Sequence, residues 1–337
     1  MLADTIIAFP DEPASALLLP GMRESYRALG RRIATSNRFV LNRDAVMLVH
    51  DIGESKPSRF LAALDICRLP FPTLWVEFAF KDRTDWLTSM RARGVRLVTR
   101  EDTEPPSRLG LYMEALDKEG RDILIHPAWS HHDGSVSICH LTFRINTGEA
   151  GPPSEEDRAR VLAELERAPP PWAKDPAELE AAIQMEARVK HEVPPYLMPT
   201  WEDLERTLGR TPKLENLIDL ARHDLLAEFQ FALGLLTTLN SRNVIQYGPS
   251  VSYEKLNKAR AKQKKPPLLD HREIRLNLSK VQRNRLGEGG GGGSADLHAH
   301  LVRGHFKLRK TGLYWWSPFV RGSRGEVPKT RTYVVSV

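Results

Sequence analysis

The stretch GLYMEALDKEGRDILIHPAWSHHDG, residues 110–134, decides the fold class of this chain. Two runs of β-forming residues, GLYMEALD and RDILIHPAWS, flank the tetrapeptide Asp-Lys-Glu-Gly at 117–120, and Asp-Gly follows at 133–134. Such turn residues between apolar runs predict hairpins, because Gly reaches the positive φ values that tight turns require. The stretch therefore predicts antiparallel strands that are joined locally.

Further strand-like runs lie on both sides of this stretch. They are AVMLVHDI (45–52), TLWVEFAF (73–80), VRLVTRE (95–101) and SVSICHLTFRI (135–145). With the two runs above they make six strands in about a hundred residues, a density typical of a mostly antiparallel sheet or a curled barrel. Upstream, the amphipathic segment RESYRALGRRI (23–33) predicts a short helix.

Helical patterns replace the strand patterns after residue 150. Ser154 is a predicted N-cap for EEDRARVLAELER (155–167), whose first turn is acidic. Two more helices are predicted over 175–192 and 201–209. The longest, LENLIDLARHDLLAEFQFALGLLTTLN (214–240), is apolar nearly all round toward its end, which predicts a buried central helix.

The last hundred residues return to β patterns and carry the glycine-rich segment GEGGGGGS (287–294), which is either a native loop tip or an engineered replacement. Strands are predicted at NVIQYGPS (243–250), HREIRLNL (271–278) and TRTYVVSV (330–337), with a hairpin in between. We therefore predict an α+β fold in three regions. These are a β-rich N-terminal region (1–150), a helical region (151–240) and a basic C-terminal β module (241–337) that packs back on the first sheet.

Composition and charge limit the class of protein to which this chain can belong. No run of eighteen apolar residues occurs, so we expect no membrane span, and the start lacks the basic region of a secretory signal. The two cysteines, Cys67 and Cys139, form no disulfide framework; we expect them buried, in a protein of the reducing cytoplasm.

From residue 253 to residue 331 there are 19 Lys and Arg against 6 Asp and Glu, a net charge of +13. The remainder carries −7 of the total of +6, so the C-terminal module predicts an anionic partner, or else a solvated basic surface.

The stretch HLVRGHFKLRKTGLYWW (300–316) is the main candidate for the site that binds this anionic partner. Read with period two, one face is basic, with Arg303, His305, Lys307 and Arg309, and the other is apolar. Beyond the Thr-Gly turn at 311–312 come aromatic residues, and aromatic rings stack on bases while Arg and Lys hold phosphates. We therefore predict a nucleic-acid or ribosome interface that also includes Trp315, Trp316 and Arg321.

A second basic run, KARAKQKK (258–265), adds Arg260, Lys262 and Lys265 to the predicted interface. The run is interpreted either as an arm that contacts phosphates or as a helix end whose cations favour the helix dipole. The two prolines that follow, Pro266 and Pro267, predict an extended turn before the next strand.

Histidines raise two chemical alternatives. His305, beside Arg303 and Lys307, offers the residue types of a metal-independent ribonuclease, with Tyr314 or His300 as the only suggestions for a second acid or base. Metal ligation by His298, His300 and His305 is disfavoured, because His305 has the opposite strand parity. His126, His131, His132 and Asp133 are interpreted as exposed loop residues. We therefore predict no metal and no cofactor, with ribonuclease activity as the alternative to binding alone.

Two C-terminal motifs carry a resemblance to a known family. The first, L-N-x-x-R-x-K-x-x-K-P-P-L, occupies residues 256–268, and the second, R-G-H-F-K followed by W-x-x-P-x-x-x-G, occupies 303–307 and 315–322. They resemble phage and plasmid proteins related to a large type V-A anti-CRISPR inhibitor. LPFPTLWVEF (69–78) agrees with that resemblance more weakly.

The resemblance implies a function in the cytoplasm of a bacterial host cell. Family members of this kind are expected to recognise the nascent N-terminal peptide of a type V-A CRISPR nuclease and to promote loss of the message being translated. The implied partners are that peptide together with mRNA, the ribosome or the host RNA-decay machinery, and no membrane. A phage nucleic-acid-binding protein without an anti-CRISPR role is the alternative.

Overall fold

The computed structural model describes residues 1–53, 56–65, 67–92, 104–148, 151–167, 169–170, 172–209, 211–241, 245–263, 268–276, 300–302, 305–309, 311–316 and 319–321. The predicted strands VRLVTRE and TRTYVVSV and the glycine-rich segment 287–294 lie outside these residues.

The described residues form an α+β fold, as predicted. The helices are α1 (Leu2–Ala8), α2 (Pro20–Thr35), α3 (Arg43–Gly53), α4 (Pro57–Leu64), α5 (Phe80–Ala92), α6 (Glu155–Arg167), α7 (Pro176–Glu186), α8 (Met198–Leu208), α9 (Pro212–Leu239) and α10 (Glu254–Lys262). The strands are β1 (Asn37–Leu41), β2 (Thr73–Ala79), β3 (Arg108–Ala115), β4 (Asp122–Ser130), β5 (Val136–Ile138), β6 (Thr142–Asn146), β7 (Val189–Glu192), β8 (Ile245–Val251), β9 (His271–Leu276), β10 (His300–Val302), β11 (His305–Arg309), β12 (Gly312–Trp316) and β13 (Phe319–Arg321). Short 3₁₀ turns occupy Phe9–Asp11, Pro13–Leu17 and Pro195–Leu197.

One open sheet unites strands from all three predicted regions. Its order is β7-β6-β4-β3-β2-β1-β9-β8, with β5 paired to β4. All its pairings are antiparallel except those of β1, which runs parallel to both β2 and β9. The mostly antiparallel sheet is therefore confirmed in the described residues, in open form rather than as a curled barrel. In the same residues, no helix is long and apolar enough to cross a membrane.

The predicted hairpin between β3 and β4 is confirmed. Asp117 Oδ1 accepts hydrogen bonds from the backbone N–H groups of Arg121 and Asp122 at 2.8 and 3.2 Å. Gly120 has φ +68°, and its carbonyl accepts from the Leu69 N–H at 2.7 Å. A side chain at residue 120 would be strained by the positive φ, so glycine is required at this turn.

The prediction of a strand at AVMLVHDI is wrong, because these residues belong to α3. Asn42 Oδ1 accepts from the Ala45 N–H at 3.0 Å, which is an N-cap interaction. Val46, Val49 and Ile52 are then buried at helical spacing. A short apolar run fits a buried strand and a buried helix equally well, so the cap decides between them.

Helix α9 confirms the predicted central helix and packs closely on α3. It is 28 residues long, and Phe231 and Leu236 within it are completely buried. A Cβ added at Gly234 would lie 2.2 Å from the Val49 carbonyl oxygen, so only glycine permits this approach of the two helices.

The predicted helix 175–192 is too long. Its start is as expected, because Asp175 caps α7 by accepting from the Ala177 N–H at 3.1 Å. The helix ends at Glu186, and residues Val189–Glu192 form β7 on the edge of the sheet, where Val189 pairs with Ile145. Pairing with β6 thus overrides the local helical pattern.

The C-terminal region packs back on the sheet through β9, as predicted. Beside this junction, the Arg38 guanidinium donates from Nε to the Asp270 carbonyl at 2.8 Å and from Nη1 to the Ala34 carbonyl at 2.9 Å. The Leu269 N–H donates to Asp4 Oδ1 at 2.8 Å. The contacts made by Asp270 and Leu269 link residues more than 200 positions apart.

The core contains an ionisable side chain at its centre. Glu77 of β2 is fully buried, and its carboxylate accepts from the backbone N–H groups of Leu2 and Ala3 and from Trp75 Nε1 at 2.9 to 3.2 Å. Arg108 Nη2 lies 2.8 Å from the same carboxylate. Glu77 therefore joins the first turn of α1 to the sheet while its charge is compensated. The predicted burial of Cys67 and Cys139 is also confirmed.

Candidate nucleic-acid interface

The hairpin β11–β12 holds five of the ten residues of the predicted interface. In its register His305 pairs with Trp316, Lys307 with Tyr314, and Arg309 with Gly312. Directly paired residues of an antiparallel hairpin lie on the same face. The basic positions of β11 therefore share a face with aromatic positions of β12. Sequence alternation predicted the basic face, but only the register shows which aromatic positions belong to it.

Arg309 and Tyr314 carry the described chemistry of this face. The Arg309 guanidinium carbon lies 5.8 Å from the centroid of the Tyr314 ring, a cation–π contact. The Tyr314 hydroxyl donates to Thr311 Oγ1 at 3.1 Å, which fixes the ring beside the turn. Arg309 is exposed and Tyr314 is partly exposed. A cation and a flat ring are thus held together at the surface, the combination that contacts phosphate and base in single-stranded RNA.

The other C-terminal residues of the prediction are divided among separate elements. Arg321 lies on β13 and pairs with His300 of β10, in a two-stranded sheet separate from the hairpin. Trp315 pairs with Phe306 in the hairpin, at the parity opposite to Trp316. Arg303 and Lys265 lie outside the described residues.

Helix α10 carries the second basic run. Arg260 and Lys262 lie in its last turn, as the dipole interpretation requires, and Lys262 is exposed whereas Arg260 is half-buried. The helix also exposes Lys255 and Lys258, which the prediction omitted although they stand in the same basic segment. Lys258 forms an ion pair with Glu254 at 2.9 Å. The described part of the basic run, residues 258–262, is therefore helical.

Asn257 of the first motif has a clear structural role. Its amide nitrogen donates to the Leu268 carbonyl at 2.7 Å, and its Oδ1 accepts from the Leu268 N–H at 2.7 Å. The side chain thus pairs with both backbone groups of one residue, as a neighbouring strand would. This pair brings residues 257 and 268 together beside β9 and gives a physical reason for Asn at residue 257.

The described contacts do not assemble an acid–base pair around His305. His300, one suggested partner, lies on β10, whereas His305 lies on β11 of the hairpin. Tyr314, the other suggestion, directs its hydroxyl to Thr311. Ribonuclease activity at His305 therefore stays an alternative to binding alone.

The histidines near the β4–β5 turn behave in two ways. His131 and His132 lie at the turn, as predicted, but the prediction of an exposed His126 is wrong, because His126 is fully buried in β4. Its Nε2 donates to the Cys139 carbonyl at 2.9 Å, so Nδ1 accepts from the Tyr196 hydroxyl at 3.2 Å. Burial lowers the pKa of His126 to about 4. Among the described residues, no group of three His, Cys, Asp or Glu could hold a metal.

The sequence did not predict a cluster of charged and polar side chains that lies buried in the core. Arg83 of α5 donates from both Nη atoms to the carboxylate of Glu228 in α9 at 2.7 Å, and from Nε to His50 Nε2 of α3 at 3.2 Å. Burial, and then the charge of Arg83, hold the pKa of His50 well below its usual range. His50 stacks on Trp86 with ring centroids 4.6 Å apart. The cluster links three helices inside the core and offers no access to a partner.

A surface depression of about 310 Å³ beside α2 has polar walls that already have partners. It is lined by Ala28, Arg31, Arg32, Thr35 and Tyr196. Arg32 donates to both carboxylate oxygens of Glu114 at 2.8 and 3.1 Å and stacks over the Tyr196 ring at 4.7 Å. Because Arg32 and the Tyr196 hydroxyl are both engaged, the hairpin and α10 remain the better candidates for binding an anion.

The basic and aromatic positions of the hairpin, together with the basic residues of α10, thus define the candidate interface. Compared with known protein families, curated proteins and solved structures, the chain matches none of them.

Proposed function

We propose that this chain is an anti-CRISPR-like inhibitor that lowers production of a type V-A CRISPR nuclease. In this proposal it recognises the nascent N-terminal peptide of the nuclease and promotes degradation of the message under translation. It acts in the cytoplasm of a bacterial host cell, beside mRNA, the ribosome or the RNA-decay machinery. The peptide target rests on the resemblance of residues 256–268 and 303–322 to the anti-CRISPR-related family.

The observation that carries the RNA-binding part is the Arg309–Tyr314 pair on the exposed face of the hairpin. A solvated basic surface needs no aromatic ring, whereas an RNA-binding surface uses rings for bases and guanidinium groups for phosphates. The net charge of +13 in residues 253–331 supports the same reading, because it attracts a polyanion over long range.

A phage nucleic-acid-binding protein without an anti-CRISPR role is the second candidate, since the hairpin and α10 serve any RNA partner equally well. A ribonuclease that uses His305 is the third. The variant His305→Ala separates binding from cleavage. If it keeps RNA affinity and abolishes cleavage of a labelled RNA, the chain is an enzyme; if the purified chain leaves RNA intact, the binding function stands.

The test of the proposed function uses two reporters in bacterial cells that express the full chain. One reporter begins with the first codons of the nuclease, and the other has those codons replaced by codons for an unrelated peptide. We expect the chain to reduce the protein and message of the first reporter only. Equal expression of both reporters would remove the anti-CRISPR function and favour the second candidate.

Variants connect that activity to the hairpin. Arg309→Glu reverses the charge beside Tyr314, and Arg59→Glu makes the same change at an exposed position of α4. We expect Arg309→Glu to weaken the reporter effect and Arg59→Glu to preserve it. If both variants keep full activity, the basic face is merely solvated surface.

A further inference from the structure

Helix α10 contributes no buried residue to the protein, although it is nine residues long. Its half-buried positions are Asn257 and Arg260, and its exposed side presents Lys255, Lys258 and Lys262. These three lysines follow the spacing i, i+3, i+7 and therefore lie along one side of the helix over about 10 Å. Packing of an apolar face, the usual source of helix stability in proteins, is absent from α10.

The protein nevertheless holds α10 in a defined position. The two hydrogen bonds between Asn257 and Leu268 hold the helix near its middle. At its N-terminal end the Tyr253 N–H donates to Asp270 Oδ1 at 2.8 Å, and the Tyr253 ring lies 5.8 Å from the His271 ring. These contacts fix a cationic helix beside β9 without adding to the core. Their effect is to present the lysines.

We propose that α10 docks on the phosphate backbone of base-paired RNA without reading its sequence. This inference rests on the proposed function, in which the partner is RNA. It adds that the RNA bound at α10 is base-paired. Charge complementarity identifies the occupant, because the segment 254–265 holds six Lys and Arg against one Asp or Glu.

Two features favour base-paired RNA over a single strand at α10. The exposed side of the helix carries no aromatic ring, since Tyr253 faces His271, so α10 cannot stack on splayed bases. Duplex RNA is recognised mainly by its shape and by backbone contacts, for which a row of ammonium groups suffices. The hairpin, which has the ring of Tyr314, is suited to single-stranded bases instead. In this proposal the hairpin binds single-stranded RNA and α10 binds base-paired RNA.

The experiment measures binding of the full chain by fluorescence anisotropy to a labelled 20-base-pair RNA duplex, a 20-nucleotide single strand and a DNA duplex of the same sequence. The test variant replaces Lys255, Lys258 and Lys262 with Gln. The control variant replaces Lys118, Lys174 and Lys213 with Gln; these lysines are also exposed, so the change in net charge is identical. Titrations run from 50 to 200 mM KCl, and circular dichroism with a thermal melt shows that each variant is folded.

We expect the α10 variant to bind duplex RNA at least about tenfold more weakly than the control variant at 100 mM KCl. The slope of log K against log salt should fall by roughly 2 to 3, because each lost phosphate contact removes about 0.9. Single-strand affinity should change far less. Equal duplex affinity in the two variants would overturn the proposal, and so would tighter binding to DNA duplex than to RNA duplex. A chain that fails the reporter test yet behaves as expected here keeps the α10 assignment and loses only the anti-CRISPR function.

Discussion

Replacing Glu228 with Gln should cost this protein much of its stability. Glu228 and Arg83 are each less than a tenth exposed, and their two hydrogen bonds of 2.7 Å make a bidentate pair. The Arg83 guanidinium also lies within 5.6 Å of the Phe78, Phe80 and Phe231 rings. Glu228→Gln keeps the shape but leaves a buried cation without its anion. We therefore expect the free energy of unfolding to fall by about 3 to 5 kcal/mol.

Urea denaturation at pH 7, followed by circular dichroism at 222 nm, measures this loss. Glu202→Gln is the matched control, because Glu202 is exposed on α8; its effect should stay within about 0.5 kcal/mol. The double variant Arg83→Met with Glu228→Met removes both charges and should recover most of the loss, since buried ion pairs gain little over apolar packing. A loss below about 1 kcal/mol for Glu228→Gln, or no recovery in the double variant, would show that the unpaired charge of Arg83 is not what destabilises the fold.

Three further predictions concern His126, Gly234 and Tyr314. Burial lowers the pKa of His126 from 6.5 to about 4, so between these pH values the unfolded chain binds more protons than the folded chain. The free energy of unfolding should therefore fall by up to about 3 kcal/mol from pH 6.5 to pH 4 because of this group. Urea denaturation at each pH measures the fall, which should be smaller in His126→Gln. Gly234→Ala should lower the free energy of unfolding by about 1 to 3 kcal/mol, because its Cβ meets the Val49 carbonyl, whereas Gly151→Ala, with open space around it, should be nearly neutral in the same assay. Tyr314→Ala should weaken binding to single-stranded RNA by about 1 to 3 kcal/mol in anisotropy titrations, whereas Tyr314→Phe keeps the ring and should bind as the wild type; equal affinity of both variants would exclude stacking.

Local signals explain which parts of the fold were predictable. The β3–β4 hairpin depends on a turn of four residues, and α9 on a long apolar pattern, so both follow from sequence. The prediction for the α3 segment is wrong because a short, largely apolar run of eight residues fits either structure, although Asn42 is a usable cap signal. The parallel pairing of β1 with β9 joins residues about 230 positions apart and leaves no local trace.

In the candidate site, too, the features that depend on local sequence were predictable and those that depend on distant contacts were not. Alternation predicted the basic face of β11, because period two is a property of the strand itself. Which aromatic positions share that face depends on the hairpin register, and which lysines of α10 face solvent depends on the contact between Asn257 and Leu268. The buried cluster of Arg83, Glu228 and His50 depends on three helices meeting, so no single stretch predicts it.

A measurement of message half-life separates recognition of the nascent peptide from recognition of the message. Message half-life is followed after transcription is stopped, with and without the full chain, for two reporters derived from the first codons of the nuclease. One is recoded synonymously, so the peptide is kept and the RNA sequence is changed. The other has a frameshift that is corrected downstream, so the RNA is nearly unchanged and the peptide is different. If the chain recognises the nascent peptide, we expect a shortened half-life for the synonymous reporter alone. Loss of the frameshifted message, or stability of both, would contradict recognition of the nascent peptide.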